Sequence, residues 1–312
     1  MSGPGKSTRN GISLTELFEI FPDDQTAERW FHDSRWPDGA ICPHCDSGNV
    51  QTGASHPTMP YRCRDCRKRF SVRTGTAMAD SKLGYRTWAI AIYLVTTSLK
   101  GVSSLKLHRD LNITQKSAWH LAHRIREAWG DHGDEPIRGP VEVDEAFIGG
   151  KEKNKHEYQR RAGRVGTSDR IAIVGAKDRA TGKVRAEVIG QAKAPVLRNF
   201  VRKHAAPGAQ VYSDGHGAYF PLDGEFRHKY VQHSVGTYAI EQTHTNGIES
   251  FWSMLKRGYS GAFHQMSEKH LSRYVSEFAG RHNQRSLDTA EQMRSVARGL
   301  VGKRLQYREL IS

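Results

Sequence analysis

Apolar positions fall into two textures along the chain. Leu14, Leu17, Phe18 and Phe21 recur at helical spacing, with Trp30 and Phe31 further on, so Ser13 to Trp36 reads as a short helical segment. Pro37-Asp38-Gly39 ends it. From Gly84 to Trp129 the helical pattern returns. Trp88, Ala91, Ile92 and Val95 form one stripe, while Leu105, Leu107 and Leu111 belong to a second, short helix. A third begins at Thr114 and carries Ala118, Leu121, Ala122 and Ile125. Asp131 to Pro140, with two Gly, two Pro and several charges, reads as a linker. Beyond it the period changes to two: Val141 to Phe147 alternates, and Ile171–Ala176 and Val184–Ile189 follow, parted by the turn-like Ala180-Thr181-Gly182. Ala194–His204 is helical, Gln210–Ser213 is a short strand, and Thr245–Lys256 and Ser267–His282 are helices. The last of these places Leu271, Tyr274, Val275 and Phe278 on one face. The pattern predicts an α/β fold with a mixed sheet, preceded by smaller helical and cysteine-bearing modules.

All four cysteines fall inside a 25-residue window, as Cys42-Pro-His-Cys45 and Cys63-Arg-Asp-Cys66 with 17 residues between the halves. Two such knuckles supply the tetrahedral thiolate shell that structural zinc prefers. A redox role would need only one of them, normally inside a βαβ unit. Zinc bound by Cys42, Cys45, Cys63 and Cys66 is therefore expected to hold a small fold together, with no open position for chemistry. Charge adds a partner class. Lys and Arg number 47 against 33 Asp and Glu, a formal +14, which favours a polyanion because each cation set on a phosphate releases condensed counterions. The longest apolar run, Trp88–Val95, is far short of a membrane span. The first ten residues lack the apolar core of a secretion signal, so a cytoplasmic, nucleoid-associated location is expected.

Gly101 to Trp129 has the outline of a helix-turn-helix, with Asn112 at the turn and Thr114 capping the longer helix. Lys116, His120 and Arg124 lie on that helix's polar side, suited to a DNA groove; an ordinary helical hairpin is the alternative. The loop 151–170 holds seven basic and three acidic residues. Lys151, Lys153, Lys155, Arg160 and Arg161 in it either follow a DNA backbone or form a solvated hairpin.

Three acidic residues carry the candidate chemistry. Asp144 interrupts an apolar strand, a costly position for a carboxylate unless it meets solvent or a cation. Glu142 shares its face by period two. Asp214 ends a later strand just before Gly215, and Glu249 lies 35 positions further on, inside a helix. Lys256 follows two turns along the same face, beside Arg257, where a cation meets a phosphate. Three carboxylates so placed suit two hard cations about 4 Å apart, which activate the attacking oxygen and stabilise the leaving one in phosphodiester displacement. Oxygen ligands select magnesium or manganese over zinc.

Together with the cysteine ribbon, the stretches VEVDEAFIGGK (141–151), VYSDGHGAY (211–219) and HTNGIESFWSMLKRGYSGAFHQMSEKHLSRYVSEFAGRHNQR (244–285) make the chain similar to the insertion-sequence (IS) 1595 family of bacterial transposases, also called ISXO-type. The resemblance implies an RNase H-like catalytic domain of the DDE class acting on double-stranded DNA, namely transposon terminal repeats and target DNA. It implies strand cleavage by water followed by attack of the freed 3′-hydroxyl, carried out by a homo-oligomer that pairs the two ends. Asp144 and Asp214 become the first two magnesium ligands. Family members carry either Asn or Glu as the third, and Asn246 and Glu249 stand one turn apart. Glu249 is taken as the ligand, because an ionised oxygen binds a divalent cation better, and Asn246 as a residue that orients substrate. The domain limits expected are an N-terminal tail and helical segment (1–37), the zinc ribbon (38–75), the helix-turn-helix-like segment (80–132), the RNase H-like domain (138–290) and a C-terminal tail (291–312). Two other readings share these features: a DNA-binding regulator without catalysis, and an RNase H-like nuclease without strand transfer.

Overall fold

The computed structural model describes residues 9–53, 55–130, 135–149, 170–214, 217–222, 224–231 and 244–312. In chain order its elements are α1 (Leu14–Ile20), α2 (Asp24–Arg35), β1 (Val50–Gln51), β2 (Tyr61–Cys63), β3 (Arg69–Phe70), α3 (Tyr85–Thr97), α4 (Ser104–Leu111), α5 (Gln115–Arg126), β4 (Val141–Ile148), β5 (Ile171–Asp178), β6 (Val184–Gly190), α6 (Ala194–His204), β7 (Gln210–Asp214), β8 (Arg227–Val231), α7 (Asn246–Gly258), α8 (Glu268–Asn283), α9 (Thr289–Gly299) and α10 (Tyr307–Ile311). They form two compact units: residues 1–130 with 286–312, and residues 131–285.

In the first unit local signals set the helix boundaries. Ser13 and Glu16 form a capping box at α1. Asp23 caps α2, so the segment expected as one helix is two, broken at Pro22. Ser103 caps α4, Asn112 ends it in the left-handed conformation, and Thr114 caps α5. The three short antiparallel strands β1, β2 and β3 carry the cysteine knuckles. One core joins these parts through Leu17, Phe31, Phe70, Trp88, Ile92, Leu107, Leu121 and Ile125. Residues 291–312 are not a tail. Met293, Val296 and Leu300 are buried in that same core, and α9 packs on α2 and α3. Their i, i+3, i+7 spacing is a helix stripe, inconspicuous in the sequence because charged residues surround it.

The second unit is a five-stranded sheet of order β6-β5-β4-β7-β8. β4, β5 and β6 pair antiparallel, and β7 and β8 join parallel. Period two sorts β4 between two cores. Val141 and Val143 face α6 with Leu197, Phe200 and Val201. Ala146 and Ile148 face α7 and α8 with Ile248, Phe251, Trp252, Leu271 and Phe278. The mixed α/β class expected from the sequence is present. β8 adds a strand that the sequence does not suggest, because Arg-His-Lys-Tyr-Val shows no apolar alternation; pairing with β7 makes it a strand. Among the described residues, no helix is long and apolar enough to cross a membrane.

Candidate active site

The site grows from the registry of β4 and β7. Val141 pairs with Val211 and Glu142 with Tyr212, so continuing in step brings Asp144 level with Asp214. Parallel partners point the same way, and both acids follow Glu142 onto the face covered by α7. Carboxylate oxygens of Asp144, Glu145 and Asp214 all lie within 4.8 Å of one another. Crowding and burial disfavour ionisation there. Burial, then Asp214 and Glu249, raise the Asp144 carboxyl to about 7, although the Trp252 side chain favours its charged form. Burial, then Asp214 and Asp144, raise Glu145 to about 8.

Glu145 is the member of the cluster that sequence reasoning passes over, although the signal that singles out Asp144, an acid in an apolar strand, applies equally to its neighbour. It leans to the other side of the strand, towards the buried Tyr219. Glu249 stands on α7, exposed and outside the 4.8 Å cluster, yet close enough to act on Asp144. The hydroxyl of buried Thr245 donates to Glu249 Oε1 at 2.7 Å. Asn246 is exposed at the first position of α7, and Lys256 and Arg257 are exposed near its end. His244 belongs to a different group: its Nδ1 lies 3.1 Å from Arg179 Nη2 and 3.5 Å from Glu142 Oε1.

The donor set fits divalent cations. Carboxylates gathered in a buried cluster, where burial and then mutual repulsion raise Asp144 and Glu145, are the arrangement that a hard, oxygen-preferring ion such as magnesium or manganese relieves. The ribbon fits zinc on separate grounds. Cys42 and Cys66 sulfurs lie 3.6 Å apart, as do those of Cys45 and Cys63. That is too far for a disulfide, at about 2.0 Å, and close to the edge of a tetrahedron with Zn–S near 2.3 Å.

Two of the expected DNA contacts are corrected. Arg124 is buried and donates to the carbonyls of Leu305 and Ala79. His120 is half-buried with Nε2 3.1 Å from the Leu305 carbonyl, and burial lowers its pKa. The segment after α9 covers this side of α5, and the polar stripe expected to face DNA is largely an internal contact. Lys116 stays exposed, its ammonium 4.3 Å above the Tyr307 ring. Lys151, Lys153, Lys155, Arg160 and Arg161 lie outside the described residues.

Residues 136–283 match the family model described as ISXO2-like transposase domain, and residues 22–69 match the transposase zinc-ribbon domain. Together they cover more than half of the chain. The chain belongs to the IS1595 transposase family. An uncharacterized protein in the transposable element ISH50 of Halobacterium salinarum is 27% identical over 271 residues, covering 83% of this chain and 91% of that protein. Both matched domains contain the sites described above: the carboxylates lie in the transposase domain, and the four cysteines in the zinc ribbon. The central sheet, with helices on both faces, is the mixed arrangement consistent with an RNase H-like domain.

Proposed function

We propose that this transposase cleaves transposon ends and joins the freed 3′-hydroxyl to target DNA, using two magnesium or manganese ions held by Asp144, Asp214 and Glu249. The carrying observation is that carboxylate oxygens of Asp144 and Asp214 lie within 4.8 Å of one another, together with one of Glu145, at the level where β4 and β7 run side by side. When bound, the ions supply activation of the attacking oxygen and charge stabilisation at the leaving one. The protein's part is placement. Asp144 and Asp214 come from the rigid centre of the sheet, and Glu249 approaches from α7 with its carboxylate oriented by Thr245. Glu249 is preferred to Asn246 because an ionised oxygen binds a divalent cation better than a neutral amide. Lys256 and Arg257, exposed on the same helix, meet DNA phosphates, and Asn246 orients the strand. Zinc at Cys42, Cys45, Cys63 and Cys66 shapes the ribbon, which with Lys116 at the start of α5 engages the terminal repeat. Two or more copies pair the ends.

The test is strand cleavage and joining on end-containing DNA with Mg²⁺ or Mn²⁺. Wild type is compared with Ala variants at Asp144, Glu145, Asp214, Asn246 and Glu249. Joined product is expected to fall on the order of a hundredfold or more at Asp144, Asp214 and Glu249, and to survive at Asn246. Loss at Asn246 with survival at Glu249 would move the third ligand by one turn. Tight binding of authentic ends without cleavage would mean a DNA-binding regulator, and cleavage without joining a nuclease.

A further inference from the structure

A second acidic residue of β4 lies deeper than the metal-site candidates. Glu142 is 2% exposed. A carboxylate so buried is costly unless every oxygen is answered, and here both are. Its Oε1 accepts from Arg179 Nε at 2.8 Å. Its Oε2 accepts from the backbone N–H of Ile248 at 2.8 Å, one of the amide groups at the start of α7 that the helix itself leaves unsatisfied. The negative charge also lies at the positive end of that helix.

The neighbours extend this contact to every element of the carboxylate site. Arg179 Nη2 donates to the His244 carbonyl just before α7, and the guanidinium carbon sits 4.0 Å from the Tyr212 ring centre on β7. Lys177 Nζ donates to the Gly247 carbonyl at 3.1 Å. A Cβ on Gly247 would lie 2.6 Å from Glu142 Oε2 and 2.9 Å from Lys177 Nζ, so a side chain there would displace the ends of both. The anchored positions stand in a fixed relation to the candidate ligands. Glu142 is two residues before Asp144 on one face of β4. Tyr212 is two before Asp214 on β7, and Ile248 immediately precedes Glu249 on α7. A buried ion pair is a poor source of stability compared with apolar packing. Its value here is geometric, because it ties three separate elements within one or two residues of each carboxylate.

We propose that the buried Glu142–Arg179 pair is the positioning element of the carboxylate site: it sets β4, β7 and the first turn of α7 at the spacing that lets Asp144, Asp214 and Glu249 share cations. Neither residue touches DNA or the ions in this arrangement. The inference rests on the reading of those three acids as metal ligands.

The experiment uses the full-length chain. Mn²⁺ affinity is measured without DNA by calorimetry or electron paramagnetic resonance, and cleavage kinetics are measured alongside. Glu142→Ala is expected to weaken Mn²⁺ binding tenfold or more and to lower kcat with KM for DNA unchanged. Glu142→Gln, which keeps an oxygen for the Ile248 N–H, recovers part of both. In a Glu249→Ala background Glu142→Ala has a smaller further effect on Mn²⁺ affinity, because one of the three carboxylates it positions is already gone. Wild-type Mn²⁺ affinity and kcat in Glu142→Ala overturn the proposal, and so do fully additive losses in the double variant. Should Glu142→Ala fail to fold by circular dichroism, Arg179→Lys and Gly247→Ala decide on the same readouts and criteria. Asp144→Ala and Asp214→Ala separate the two levels. If they too leave Mn²⁺ affinity unchanged, the metal-site reading fails. If they abolish it while the Glu142 variants do not, only the positioning role fails.

Discussion

Among the described residues, two metal-type clusters are built in opposite ways. The four cysteines come from two tight knuckles within one short stretch, and two of them, Cys42 and Cys63, are buried in the core of the first unit. The clustered carboxylates come from β4 and β7, Asp214 lying 70 positions beyond Asp144, and they meet only because the sheet brings the strands level. A knuckle is organised by its own backbone, whereas the acidic site is organised by its scaffold. The first should fail when a ligand is lost; the second should also fail when a neighbour that binds nothing is changed.

Removing a cysteine gives the largest effect. Cys63→Ser, or a strong chelator, is expected to release zinc and cost the amino-terminal unit on the order of 5 kcal/mol or more, since structural zinc supplies folding energy directly. Metal analysis and thermal unfolding check this. Mn²⁺ binding by the carboxylates is expected to persist. Unchanged unfolding after complete zinc removal would break the comparison, because the ribbon would then stand on its packing alone.

A change at Gly175 probes the other half. This residue pairs with Asp144 across β4 and β5, and a Cβ there would lie 2.7 Å from the Trp252 ring and 3.1 Å from Ile248 Cδ1. Gly175→Val is expected to destabilise by about 3 kcal/mol through overpacking and to weaken Mn²⁺ binding by pushing α7 away, although residue 175 is no ligand. Urea unfolding and Mn²⁺ titration measure the two effects. A stability loss with intact Mn²⁺ affinity would mean that α7 does not need its close seat on the sheet.

These two sites also mark what the sequence makes legible. The cysteine spacing states its ligand set outright, and strand alternation alone puts Asp144 and Glu142 on one face. The helices of the first unit are readable from caps and apolar stripes. Three things are not. The β4–β7 registry that admits Glu145 to the cluster is a tertiary fact, invisible in either strand alone. Glu142 looks like any acid in a strand until Arg179 and the Ile248 amide surround it. The return of residues 286–312 into the first unit, which turns Arg124 inward, depends on a long-range contact that no local pattern announces.

The scaffold gives the second unit a pH dependence of its own. His282 on α8 packs edge-on against Phe251 of α7 at 5.6 Å, with Nε2 3.2 Å from the Gly182 carbonyl. Burial, then Arg285 and Lys177, lower its pKa from 6.5 to about 4. The native state therefore favours neutral imidazole. Above pH 6.5 the group contributes no slope. As pH falls from 6.5 towards 4, the unfolded chain takes up a proton that the native chain does not, and stability is lost. Because the ring is only half-buried, about 1–2 kcal/mol is expected across that window. His282→Gln should flatten the curve between pH 4 and 6.5; an unaltered slope would assign it to other groups.

The smallest effect sharpens a comparison within the first unit, between the two ends of α5. Lys116 is exposed at the helix start, while Arg124 is spent on the carbonyls of Ala79 and Leu305. If the helix start meets DNA, Lys116→Ala should weaken binding evenly across sequences and reduce the slope of log affinity against log salt by about 1. Arg124→Ala should instead lower the melting temperature and leave that slope alone, because its charge never reaches a phosphate. Fluorescence anisotropy on a terminal-repeat duplex over a salt series separates the two. A salt slope that falls with Arg124 and not with Lys116 would mean that the segment after α9 leaves α5 when DNA arrives, so that the covered stripe becomes the contact.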